Sequence, residues 1–321
     1  MPQNIFPQNI IAIIWDFDKT LIPDYMEKPL FSHFNVDEKK FWQEVENLPA
    51  FYKKNGLDLV SRDTLYLNHI LTYVRSGIFP GLNNQLLRQL GAQLEFYPGL
   101  PEFFEIVKEK LKNNPTYQKH ELKIEHYILS TGLRQIILGS KIAPNVEGVW
   151  GCEFVEKVAP AGYLDAPADP ASQEKREILD IGYVLDNTTK TRAIFEINKG
   201  TNIVAEIDVN ATIRPQDRRV PIQNMIYVAD GPSDIPVFSI VNQNGGKTFA
   251  VYQKGSESEF AQANELQKQA RLQSFGEADY CAGSKTYLWI LAAVDEIAKR
   301  ILRDKARAVD EQVGPAPRHL A

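Results

Sequence analysis

Asp16 and Asp18 stand two residues apart in Asp16-Phe17-Asp18-Lys19-Thr20, and Asp230 and Asp234 stand four apart in Asp230-Gly231-Pro232-Ser233-Asp234. Side chains alternate along an extended strand, so Asp16 and Asp18 leave it on the same side and present two carboxylates to one ligand. Four acids gathered in one place repel each other unless a positive group sits among them. An all-oxygen donor set with few protein ligands and retained waters suits Mg2+. A dinuclear transition-metal site would call for histidines, but His33, His69, His120 and His126 are scattered without ligand spacing and read as surface or core.

The elements that must position these residues are visible as apolar runs. Residues 10–15 form a short unbroken stretch rich in β-branched side chains, the pattern of a strand buried on both faces of a parallel sheet. Residues 124–129 and 225–229 behave alike, the first ending at Ser130-Thr131-Gly132 and the second at Asp230. Further strands are expected at 248–252 and around 278–281, with shorter extended stretches at 152–155 and 183–185. Helical periodicity marks 102–112, where Phe103, Phe104, Ile106, Val107 and Leu111 share a face, then 191–198, and then 287–309 with Leu288, Leu291, Val294, Ile297 and Ile301. This alternation predicts an α/β fold, a Rossmann-like doubly wound parallel sheet with helices on both faces. Ligands of such sheets sit beyond the carboxyl ends of the strands, which is where the polar clusters fall.

Between Pro23 and Pro98 the pattern is helical throughout. Helices are expected near 38–45 and 84–90, and a third carries Leu67, Ile70, Leu71 and Val74, with Ser61 as cap and Gly77 as stop. The reading is an α-helical cap domain, residues 24–97, inserted into a core formed by 1–23 and 98–321. Phe41, Trp42, Tyr66 and Tyr73 in the insertion read as packing residues. An Ala/Pro/Asp-rich loop is expected at 159–171, and fraying after Val313.

Composition narrows the partners. The 321 residues carry a formal net charge of −5 and no Lys/Arg block, which excludes nucleic acid and anionic membrane as partners and leaves a compact small molecule. Two cysteines, Cys152 and Cys281, make no disulfide framework and fit a reducing compartment; no apolar run is long enough to span a bilayer, so the expected location is cytoplasmic.

Through Asp16-Phe17-Asp18-Lys19-Thr20-Leu21, Leu129-Ser130-Thr131-Gly132, a later Lys and Asp230-Gly231-Pro232-Ser233-Asp234, the sequence resembles the haloacid dehalogenase (HAD) superfamily of phosphohydrolases in motif order over nearly its whole length. A helical insertion after the first motif is similar to the phosphoserine phosphatase branch. The resemblance implies a magnesium-dependent phosphatase for a small soluble phosphomonoester, with Asp16 as nucleophile forming an aspartyl-phosphate and Asp18 as general acid and base. It implies that Asp16, the main-chain carbonyl of Asp18 and Asp230 hold Mg2+, with Asp234 behind them. Ser130 and the N–H groups of Thr131 and Gly132, at a strand-to-helix turn, would bind the phosphoryl oxygens, and Thr20 belongs to the same group as a brace of the first loop. Lys190, opening an apparent helix before the Asp230 strand, is the expected phosphate-neutralising lysine, with Lys141 and Lys199 as alternatives. Ala229 and Pro232-Ser233 depart from the phosphoserine phosphatase pattern, and neither Asp24, Glu27, Arg62 nor Arg75 aligns with that branch's substrate-holding residues. A mutase of the same fold shares every residue named, and a phospho-accepting switch, though normally much shorter, shares most of them.

Overall fold

The computed structural model describes residues 6–165, 177–204 and 206–313. Seven strands form one sheet in the order β4-β3-β2-β1-β5-β6-β7: β1 (Ile10–Trp15), β2 (Lys123–Leu133), β3 (Gly148–Val155), β4 (Asp180–Tyr183), β5 (Met225–Ala229), β6 (Lys247–Tyr252) and β7 (Ser274–Glu277). Every neighbouring pair is parallel except β3 with β4, which is antiparallel and closes one edge.

β1 sits at the centre, and its six residues are all buried. Because side chains alternate, Ile11, Ile13 and Trp15 face one hydrophobic cluster while Ile10, Ala12 and Ile14 face another. The second cluster is closed by α8 (Lys190–Lys199), α9 (Ile235–Gln243) and α10 (Glu257–Lys268). The first is closed by α5 (Glu102–Lys112), α6 (Pro115–Lys119), α7 (Arg134–Gly139) and α11 (Lys285–Val313). The same first cluster also takes in the helices of the insertion: α1 (Lys28–His33), α2 (Glu38–Lys54), α3 (Leu65–Arg75) and α4 (Asn84–Gly91). The doubly wound α/β class is the one expected. His126 is a core residue, accepting from the Trp15 indole N–H at Nδ1 (3.1 Å) and lying 3.2 Å from the Phe104 carbonyl at Nε2.

Several local expectations are corrected. The seventh strand lies at Ser274–Glu277, and residues 278–281 form the following turn, where Ala278 and Tyr280 are buried by packing without strand pairing. The short stretch expected at 183–185 is paired three residues earlier. The helix expected at 38–45 continues to Lys54 through Pro49, because its apolar side packs on α3. Ser61 precedes a 3-10 turn at Arg62–Thr64 and makes no side-chain cap. Ile106 and Leu288 face solvent although their helices follow the expected period. The loop expected at 159–171 lies in part, and the tail after Val313 wholly, outside the described residues.

Candidate active site

The ends of β1, β2 and β5 meet the start of α8 around a cavity of about 270 Å³ lined by Asp16, Asp18, Thr131, Gly132, Lys190 and Asp230, among others. A larger open groove lies beside β3 and β4, but it contains none of these acids. The ladder between β1 and β5 runs on through the Asp16 N–H to the Val228 carbonyl (2.9 Å), which fixes Asp16 at the strand end. The chain then turns, with Lys19 at a φ of 55°, and Asp18 comes round to the same cavity.

Lys190 is the centre of the arrangement. Its Nζ lies 2.7 Å from Asp16 Oδ1 and 2.7 Å from Asp234 Oδ1, with the side chain almost wholly buried. The first turn of α8 supplies it, and the preceding loop is tied down by Asp186, whose Oδ1 accepts from the Thr188 and Thr189 N–H groups at 2.9 and 2.7 Å. Burial opposes the charge on Lys190, yet the two carboxylates hold the ammonium above its ordinary range. Lys141 is exposed, and Lys199 donates to the Val209 and Ala211 carbonyls (2.5 and 2.7 Å), so neither alternative lysine reaches the cavity.

Asp234 is fully buried and saturated: Oδ1 accepts from Lys190 and from the Tyr227 hydroxyl, and Oδ2 from the Ser233 hydroxyl at 2.9 Å. Asp230 differs. Among the described residues no donor pairs with its carboxylate, and burial, with Asp16 and Asp234 nearby, pushes its pKa up to about 8. Oxygens of Asp16, Asp230 and Asp234 all lie within 4.8 Å of one another. A half-buried carboxylate without a donor, beside a buried second one, is a donor set that a hard divalent cation would satisfy. With both its oxygens already bonded, Asp234 fits as the anchor of Lys190.

Asp16 is pushed up to about 6, by burial first and against the pull of Lys190. Thr20 places its hydroxyl 3.3 Å from Asp16 Oδ2 and its carbonyl accepts from the Tyr280 hydroxyl (2.6 Å), so it braces the loop after β1 and does not line the cavity. Asp18 accepts the Met26 N–H at Oδ1 (2.8 Å). Burial, then Glu27, then Asp16 hold its carboxyl well above the usual carboxylate range, the condition for a group that must carry a proton at neutral pH.

The expected strand-to-helix turn at Ser130-Thr131-Gly132 is corrected: β2 runs irregularly on to Leu133 and α7 begins only at Arg134. Main-chain N–H groups therefore come from a distorted strand end and not from a helix terminus. Ser130 is buried and its Oγ accepts the Gly132 N–H (3.0 Å).

The insertion supplies a further part of the wall: Tyr25, Glu27, Trp42, Asp63 and Tyr66. Trp42 and Tyr66, expected to be packing residues, do both jobs, whereas Phe41 and Tyr73 line no part of the cavity. Glu27 is buried beside Asp18 and burial pushes it up to about 7. Its one sequence signal is an acid in an apolar helical start, Met26-Glu27-Lys28-Pro29-Leu30.

No protein-family model matches this chain. It is 40% identical over 293 residues to an uncharacterized protein of Borreliella burgdorferi, covering 89% of this chain and 97% of the other. Solved structures similar to it include a HAD family hydrolase and phosphoserine phosphatases. One is a HAD family hydrolase from Salmonella enterica serovar Typhi, at 13% identity and TM-score 0.49, covering 84% of this chain and 68% of that one. A probable phosphoserine phosphatase from Vibrio cholerae is 15% identical at TM-score 0.48, covering 93% and 69%. A phosphoserine phosphatase in a phospho-aspartyl intermediate analogue form is 12% identical at TM-score 0.44, covering 83% and 93%.

Proposed function

We propose, for a chain that belongs to the same family as the Borreliella burgdorferi protein, the magnesium-dependent hydrolysis of a small phosphomonoester through an aspartyl-phosphate on Asp16. One observation carries the reading: Lys190 bridges Asp16 and Asp234 at 2.7 Å each, at the mouth of three parallel strands whose other polar ends line the same cavity. A buried cation held between two acids is costly to maintain for stability alone. It is well placed to neutralise charge that develops on a phosphoryl group.

Asp16, with one oxygen held by Lys190 and the other by Thr20, attacks phosphorus and displaces the alkoxide. Asp18 delivers its proton to the leaving oxygen. The freed alcohol departs, and the Asp18 carboxylate then takes a proton from the water that attacks the phosphorus of the aspartyl-phosphate. Inorganic phosphate leaves and both acids return to their starting states. The Thr131 N–H, and the Gly132 N–H shared with Ser130 Oγ, offer donors to the equatorial oxygens. Asp16, Asp230 and the main-chain carbonyl of Asp18 would hold Mg2+. When bound, the ion supplies charge neutralisation and orientation of the phosphoryl group.

In this reading residues 24–97 act as a cap over the core of 1–23 and 98–321, and the cavity suits a small molecule. Both cysteines are unpaired and no helix among the described residues is long and apolar enough to cross a membrane, which supports work in the cytoplasm. The test is a panel of phosphomonoesters with the purified protein, read as inorganic phosphate. Release should require Mg2+, stop with chelator and be supported poorly by Ca2+, which prefers more ligands and looser geometry. Full release in excess chelator contradicts the metal, and a second phosphate ester in place of inorganic phosphate contradicts hydrolysis.

A further inference from the structure

Two residues of the insertion bond to groups that belong to the core. Met26, fully buried, donates its N–H to Asp18 Oδ1 (2.8 Å), and its Sδ accepts the Leu133 N–H (3.1 Å). Tyr66, on α3, donates its hydroxyl to the Thr131 carbonyl at 2.7 Å, and the Cys152 thiol approaches the same oxygen at 3.3 Å. A trans peptide points the carbonyl of one residue and the N–H of the next in opposite directions. Pinning the Thr131 carbonyl against Tyr66 therefore fixes the direction of the Gly132 N–H, which meets Ser130 Oγ at 3.0 Å. Glycine at 132 would otherwise let this peptide turn over at little cost. The fit is close, since a Cβ on Gly132 would lie 2.3 Å from Met26 Cε.

We propose that Met26 and Tyr66 are positioning residues: by seating on the core, the insertion aims the Gly132 N–H and the Asp18 carboxyl, and the site is complete only while the insertion is seated. The inference rests on the phosphatase reading for its catalytic consequence, but not for the existence of the clamp. Under it, the insertion switches the core's own groups into register in addition to walling the cavity. The Tyr66 hydroxyl is spent on the Thr131 carbonyl, so loss of that hydroxyl acts through the peptide it holds.

The test is Tyr66→Phe, which keeps the ring and removes the hydroxyl, with Met26→Leu as the second variant, which keeps the volume and removes the sulfur acceptor. Removing a direct oxyanion donor costs a factor of about 10² to 10³, so loosening one should lower kcat for an aryl phosphate by about tenfold to a hundredfold. KM should stay within a factor of about two, because a group that acts mainly in the transition state leaves ground-state binding alone. Affinity for orthovanadate should fall in step with kcat. Amide hydrogen exchange of residues 131–133 should speed up in both variants while that of β1 and β5 stays unchanged. Wild-type kcat together with unchanged exchange at 131–133 would overturn the proposal. So would a loss in which KM rises as much as kcat falls and vanadate affinity does not move, since that is a merely structural effect. If the wild-type protein releases no phosphate from any ester, the phosphatase reading fails, and the exchange measurement still decides whether the clamp exists.

Discussion

At the scale of single residues, the chemistry turns on how each carboxylate is partnered. Lys190→Ala strips the cation from between Asp16 and Asp234 and should abolish turnover; breaking such a buried pair should also destabilise the protein by about 3 kcal/mol or more. Activity and thermal unfolding, measured beside Lys141→Ala and Lys199→Ala, check this, since those two variants should stay near wild type. Glu27 gives a second prediction. Its pKa in the folded protein, about 7, lies above the ordinary 4.5, so the folded state binds that proton more tightly than the unfolded chain. Its contribution to stability is fully present below about pH 4.5 and is lost as pH rises towards about 7. Glu27→Gln lacks that loss, and its melting temperature should gain on wild type across this window. Removing Glu27 also removes a charge that keeps Asp18 protonated, so the alkaline limb of the kcat profile should move to lower pH. An unmoved limb would take Glu27 out of this role. Asp16, Asp18, Lys190 and Asp230 were legible because each sits where an apolar run or a helix start meets a polar cluster. Glu27 and Tyr66 were not: no spacing rule ties Glu27 to Asp18, and the Thr131 carbonyl that Tyr66 meets lies 65 residues further along the chain.

At the scale of elements, the join between α4 and α7 decides how the insertion sits. The two helices approach so closely that a Cβ on Gly139 would lie 1.8 Å from the Arg88 carbonyl oxygen, and one on Gly91 would lie 2.0 Å from that of Ile136. These are backbone atoms that cannot rotate away. Gly139→Ala should therefore force the helices apart, costing about 1 to 3 kcal/mol as overpacking does, and should lower activity through the displaced insertion. Thermal unfolding and phosphate release check both; an alanine tolerated at wild-type stability would show that the helices can slide. The strands β1, β5 and β6 and the helix α5 were readable from apolar runs and 3.6-residue period. The end of β2 was misread because Ser-Thr-Gly resembles a helix start, whereas pairing of Leu133 with Cys152 keeps the chain extended. β7 was displaced because Ala278 and Tyr280 are buried by tertiary packing and not by sheet pairing.

At the scale of the molecule, residues from both sides of the proposed division at 24 and 97 belong to one hydrophobic cluster. Leu30, Phe41, Ile70 and Leu87 are continuous with Trp15, Phe103, Ile136 and Ile290. Pro23 and Pro98 mark where the chain crosses between the two parts, and the surface they share is set by this cluster. Insertion and core should therefore melt in one transition, seen as coincident curves from Trp42 in the insertion and Trp289 in the core when each is left as the main reporter. Two separated transitions would show that the insertion folds on its own. Phosphoryl transfer to Asp16 is the central step of the proposed reaction. Its most direct measurement is mass spectrometry of protein quenched in acid during turnover of a phosphomonoester with Mg2+. One phosphoryl group should be found on the peptide that carries Asp16, accumulating further in Asp18→Asn with a good leaving group, and it should be absent in Asp16→Asn along with phosphate release. Sustained phosphate release by Asp16→Asn, with no phosphoryl group on that peptide in the wild-type protein, would contradict it.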